Sequence, residues 1–181
     1  QFVGGILERE VNAVTDNPVV MGERVVSNGN FHGEGIAFAA DFSKIALAEV
    51  GNISERRLNK LLDHRFNLGV TPFLAGQPGV ESGLMMVQVT AASLVNENKT
   101  YATPQSVDSI PTNLDKEDHV SMGPIAANKL LEVNQNLARI LAIELIIAAQ
   151  ALDFLLPLQP APALRHIYAK IRSIVPYMPK D

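Results

Sequence analysis

The chain has 181 residues, 47% of them hydrophobic and 19% charged, with a formal net charge of −4 and neither cysteine nor tryptophan. That is enough apolar material to bury a core at single-domain size, and the 15 basic residues are scattered, leaving no electrostatic footprint for nucleic acid or an anionic membrane. The lack of cysteine excludes disulfides, thiolate nucleophiles and cysteine-ligated zinc, a usage that suits the cytoplasm.

The opening QFVGGILERE has no initiator Met, no basic n-region and no small-residue cleavage site, so it reads as the interior of a longer protein and not as a signal peptide. SNGNFHGEG, Ser27–Gly35, is the most irregular stretch. From Gly35 to Asp63, apolar residues Phe38, Phe42, Ile45, Leu47, Val50, Ile53, Leu58, Leu61 and Leu62 recur at three- and four-residue steps, and SERR at 54–57 gives a charged face; this predicts one long amphipathic helix. Residues 64–83, rich in Gly and Pro, predict a loop, followed by a helix over roughly Ser82–Tyr101 and a second loop over 103–118. A third helix is expected from about Asp118 to near Pro157, with its stripe on Ala126, Leu130, Val133, Leu137, Leu141, Leu145, Ala148, Leu152 and Leu155. At 1.5 Å per residue it would run roughly 55–60 Å, longer than a compact monomer of this size is wide, so it is expected in a bundle that continues into other chains or further sequence. Its most apolar part, Leu137–Leu156, is long enough to span a membrane, but Arg139, Glu144, Gln150 and Asp153 interrupt it and favour a buried helix. A short helix over Ala163–Val175 closes the chain. The expected fold class is all-α, a long-helix bundle forming one region over 1–181 without an internal boundary, repeat or low-complexity segment.

Most catalytic signatures fail. His32-Gly33-Glu34 matches half of a zinc-deaminase motif whose cysteine half is missing, the glycines at 29, 33 and 35 form no dinucleotide or phosphate loop, and His32, His64, His119 and His166 lack the i, i+4 pairing of helical metal ligands. No metal site is expected. In SNGNFHGEG, an Asn28-Gly29 turn would present Phe31 and His32 from a fixed backbone; the plainer alternative is a hairpin tip with Phe31 plugging a core. In DKEDHVSMGP, residues 115–124, three carboxylates, a lysine and a histidine precede the longest helix. They could serve its dipole and caps, or a carboxylate among them could do acid–base work or hold a cationic ligand.

EREVNAVTDNPVV, GNFHGE, GNISERR, SVDSIPT, EDHVSMG and LAIELIIAAQALDF occur in the order and approximate spacing of the aromatic amino acid lyases. The chain resembles the C-terminal portion of that family, most specifically its histidine-acting members. The resemblance implies an all-helical homotetramer whose central bundle brings residues of several subunits to each active site. It implies an electrophilic methylidene-imidazolone (MIO) made from an Ala-Ser-Gly tripeptide, which captures an amino acid so that ammonia leaves and a trans-alkene forms, urocanate in the histidine case. Carried onto this sequence, the aromatic beside electrophile and substrate is Phe31, with Asn30, His32 and Lys116 adjacent to the site. The catalytic carboxylate is Glu117, where phenylalanine-acting members resemble the pattern with a glutamine. A carboxylate can hydrogen-bond an imidazole or exchange a proton with it, which a benzyl ring does not require.

Three features depart from the family. Ala-Ser-Gly does not occur in the 181 residues, so this chain forms no MIO, and the family's catalytic tyrosine and its substrate-binding Gln, Tyr and Arg precede the matched region. DKEDH stands where NQEDH is usual, placing Asp115 and Lys116 at amide positions, and Thr103 stands where histidine is common; an ammonium beside Glu117 would pair with it or lower its basicity. The expected function is therefore that of part of a histidine-acting lyase. The alternatives are a non-catalytic helical assembly module, or part of a related aromatic lyase or aminomutase.

Overall fold

A computed structural model describes residues 1–67 and 69–180; Leu68, within the expected 64–83 loop, and Asp181, at the end of the expected helical region, lie outside the described residues. Among the described residues the elements in order are α1 (Phe2–Val11), β1 (Val19–Met21), β2 (Arg24–Val26), α2 (Glu34–Leu62), α3 (Met85–Tyr101), α4 (Gly123–Phe154) and α5 (Pro162–Ile174), with a 3-10 turn over Pro72–Leu74. The fold is helical, as the periodicity predicts, with one two-stranded antiparallel ribbon that pairs Val19 with Val26 and Met21 with Arg24. Helix α1 and the ribbon are not legible from the apolar pattern. Helix α4 starts at Gly123 and not near Asp118, so its 32 residues run about 48 Å. Met122, at φ 51°, breaks the helical path just before it, and no acidic residue lies in its first turn.

The chain divides into two compact units. The first holds Gln1–Ala48 and Asn98–Asn134; the second holds Glu49–Glu97 and Gln135–Asp181. In the first, the α2–α4 contact is made by small residues, Ala37, Ala40 and Ala126, with Leu130 packed on them. The side of α2 that faces this core is thus the alanine side. Phe38, Phe42 and Ile45, on the apolar stripe that the spacing gives this helix, are 55%, 54% and 51% exposed. The second unit has the larger apolar core, built from Leu58, Leu62, Val70, Leu74, Leu84, Ala91, Ile147 and Ala151. Glu144 of α4 ties that core to α2, accepting from Ser54 Oγ at 2.6 Å and from Arg57 Nε and Nη2 at 2.5 and 2.8 Å. The Arg57 guanidinium, ahead of the opposing effect of burial and with the help of Ser54, holds the Glu144 carboxyl below the usual carboxylate range.

Candidate functional site

The residues singled out by sequence all fall in the first unit. The hairpin tip weighed as the plainer alternative for SNGNFHGEG lies instead at Gly22, whose φ is 63° between β1 and β2, where glycine meets the left-handed turn at no steric cost. SNGN is a connector laced to the chain before the ribbon. Asn28 donates through Nδ2 to the carbonyls of Val14 and Asp16 at 3.0 and 3.1 Å, and its N–H donates to Asn17 Oδ1 at 3.0 Å. Asn30 Nδ2 donates to the Glu10 carboxylate at 3.2 and 3.3 Å, fixing the connector on α1. The chain then reverses at Gly33, φ 70°, whose carbonyl accepts from Ile36 and Ala37 as α2 begins. Phe31 is 43% exposed and so plugs no core, with its ring centroid 4.6 Å from that of His32.

The second segment is the connection between α3 and α4. Asn113, Leu114 and Asp115 take φ of 54°, 57° and 62° in succession, a left-handed turn of non-glycine residues that costs roughly 1–2 kcal/mol each outside Asn and Asp. The turn reverses the chain so that Thr112 and Glu117 pair antiparallel, the Thr112 N–H donating to the Glu117 carbonyl at 3.0 Å. Asn113 Nδ2 donates to Glu117 Oε1 at 3.3 Å, while Glu117 Oε2 is buried and has no hydrogen-bond partner among the described residues. Asp115, Lys116 and Asp118 are exposed, and Glu117 is half-buried. Of three neighbouring carboxylates, one is turned inward. None of the three lies in the first turn of α4, so a dipole or capping role lacks its geometry.

Two contacts join the segments. Buried Ser121 donates through Oγ to the His32 carbonyl at 2.5 Å and accepts from the Gly123 N–H at 3.1 Å, and His119 Nε2 sits 3.6 Å from Glu34 Oε2. The Phe31 and Glu117 segments are therefore fastened together at the entry to α4, although neither motif alone announces it. Lys116 is held through its backbone, its N–H donating to the Asn113 carbonyl at 3.3 Å.

Sequence reasoning missed Asp41 and Lys44. Both are buried, Lys44 completely, and their side chains meet at 2.6 Å. Asp41 Oδ2 accepts the N–H groups of Gln105 and Ser106 at 2.7 Å each, and Lys44 Nζ donates to the Thr103 carbonyl at 3.3 Å. Burial pushes the Asp41 carboxyl up, but the Lys44 ammonium and the backbone and side-chain bonds from Ser106 and Gln105 outweigh it and leave it below its ordinary value. The available signal was register: 37, 40, 41 and 44 lie at helical steps on one face, which puts a charged pair on the alanine side.

Residues 1–173 match the profile of the family described as aromatic amino acid lyase. The chain is 53% identical to a histidine ammonia-lyase of a Geobacillus species over 182 aligned residues, covering 99% of this chain and 36% of that protein. Among solved structures, histidine ammonia-lyase of Trypanosoma cruzi superposes with a TM-score of 0.95 at 44% identity, and tyrosine aminomutase of Streptomyces globisporus with 0.93 at 38%; each match covers 99% of this chain. The matched region is 36% of the Trypanosoma chain and 34% of the Streptomyces one, so the chain spans about a third of the proteins it resembles.

Proposed function

The chain belongs to the aromatic amino acid lyase family, and from that premise we propose that it is the C-terminal portion of a histidine ammonia-lyase, which eliminates ammonia from L-histidine to give trans-urocanate. The complete protein works in the cytoplasm as a homo-oligomer, a tetramer by family resemblance. The observation that carries the reading is Glu117, the carboxylate whose Oε2 is buried and unpartnered in a loop fastened to the one bearing Phe31. An inward carboxylate with a free acceptor suits an imidazole substrate, to which it can hydrogen-bond or with which it can exchange a proton. Phe31 would offer that ring an aromatic face, with Asn30, His32 and Lys116 around the site.

The MIO of the family supplies an electrophile for the substrate when present. These 181 residues contain no Ala-Ser-Gly from which to make it, so in this reading the group would have to come from outside them. Identity favours the histidine reading over an aminomutase: 53% and 44% to the two histidine enzymes against 38% to the tyrosine aminomutase.

The test compares Glu117→Gln with Asp115→Asn in the complete protein, reading kcat for histidine and melting temperature together. Glu117→Gln keeps shape but removes the charge, so kcat should fall by roughly 10²–10⁴ with little change in melting temperature. Asp115→Asn should cost far less turnover and no stability, because asparagine accepts the left-handed φ of 62° at least as well as aspartate. Glu117→Gln retaining most of its turnover, or losing it only in step with unfolding, overturns the assignment.

A further inference from the structure

The connection between Tyr101 and Gly123 carries Glu117 but contains no helix and only a single bridge, Thr112 with Glu117. A connection of that length without regular structure does not hold one side chain in place unless its backbone is tied down. Four ties bear on the position of Glu117. Asp41 Oδ2 takes the N–H groups of Gln105 and Ser106; the Val120 N–H donates to Ser109 Oγ at 2.9 Å; the Thr112 N–H donates to the Glu117 carbonyl at 3.0 Å; and Ser121 Oγ reaches the His32 carbonyl. The Ser109 and Thr112 ties lace the two limbs of the connection to each other. The Asp41 tie, with Lys44 Nζ on the Thr103 carbonyl beside it, fastens the laced unit to α2 at one end, and the Ser121 tie, with His119 beside Glu34, fastens it at the other.

The Asp41 tie is chemically unusual. A lysine with no exposed surface is retained only if its charge is met, and Lys44 is met by Asp41 at 2.6 Å and by the Thr103 carbonyl. One cation and two donors thus converge on one carboxylate: the Lys44 ammonium pairs with Oδ1, and two backbone amides donate to Oδ2. A neutral amide has one acceptor oxygen and cannot serve both sides at once. We propose that the buried Asp41–Lys44 pair is a positioning device for Glu117, clamping the first limb of the α3–α4 connection to α2 so that the laced unit holds the carboxylate inward. The role rests on the proposed action of Glu117 on substrate, and the clamp itself is a separate, measurable matter.

The experiment uses the complete protein with Asp41→Asn, Glu117→Gln and the double variant, and reads kcat, KM, melting temperature and backbone hydrogen exchange. Asp41→Asn should lower kcat by about 10- to 100-fold, the scale set by small misplacements of a reacting group, with the loss much larger than the unfolded fraction accounts for. In the Glu117→Gln background the same change should cost less than about twofold, because a residue acting through Glu117 has nothing left to position. Exchange should quicken at Gln105 and Ser106 and also at Thr112 and Val120. Where Asp41→Asn fails to fold, Lys44→Gln, which keeps the carboxylate and its two amide bonds, replaces it with the same expectations at smaller size. An unchanged kcat, an equal loss in both backgrounds, or faster exchange confined to residues 105–106 overturns the positioning role. Undiminished turnover in Glu117→Gln alone overturns the proposed function instead, and the exchange measurement then still decides the clamp.

Discussion

Glu117 is separated from its acidic neighbours by backbone geometry, not by charge. The left-handed run at Asn113, Leu114 and Asp115 rotates the chain so that one carboxylate points in while Asp115 and Asp118 stay in solvent. Leu114 bears most of the cost, since a branched side chain at φ 57° gains no local hydrogen bond and is 94% exposed, so no burial offsets it. Leu114→Asn in the complete protein should therefore raise stability by about 0.5–1 kcal/mol, read as a higher melting temperature; a fall would mean that Leu114 is covered in the assembled protein. The motif resemblance pointed to Glu117 and Phe31 one at a time. Their fastening through Ser121 and His119 was not legible, because hydrogen bonds between segments nearly ninety positions apart, such as Ser121 to the His32 carbonyl, leave no periodic trace in sequence.

Helix α4 shows what apolar spacing can and cannot locate. Its stripe was expected on 126, 130, 133, 137, 141, 145, 148, 152 and 155, and the buried residues include Ala126, Val133 and Leu137 but continue at Ile140, Ile147 and Ala151. Four-residue steps advance about 40° beyond a full turn each time, so the run 137, 141, 145 walks off the face that 140, 147 and 151 keep. Leu145 accordingly is 47% exposed. The same helix carries Glu144, whose carboxyl Arg57 holds below the usual range. A group with a depressed folded pKa contributes stability that is present above its unfolded value, near 4.3, and is lost as pH falls through the folded one. Glu144→Gln should consequently lower the melting temperature of the complete protein at pH 7, and the gap between variant and unmodified protein should narrow as pH drops below about 4. A gap independent of pH would show that packing, and not the Arg57 pair, sets the contribution.

At the scale of the whole molecule, the chain's composition and its surface point the same way. With no Ala-Ser-Gly in its 181 residues, the isolated chain should produce no urocanate absorbance from histidine above buffer, and a reproducible chain-dependent rise would contradict the proposed division of the site. The surface argument goes further. In the first unit, α2 turns small alanines to the core and leaves Phe38, Phe42 and Ile45 about half exposed, with Phe2 of α1, itself 65% exposed, set edge-on against Phe42 at 5.5 Å. Three phenylalanines and an isoleucine on adjoining elements make a larger apolar patch than scattered surface residues do, and such patches mark contact surfaces. The helical period locates this stripe but not its cover, since a periodic apolar face says that something covers it and not whether the cover is the same chain. Covering by a second copy predicts that Phe42→Asp in the complete protein moves sedimentation velocity toward smaller species at micromolar concentration and lowers turnover with it. Because Phe42 belongs neither to the proposed site nor to the buried core of its own unit, a helix that stays folded by circular dichroism while the assembly falls apart is the expected result. Unchanged sedimentation would place the cover elsewhere in the same polypeptide, and the loss would then appear as a lower melting temperature instead.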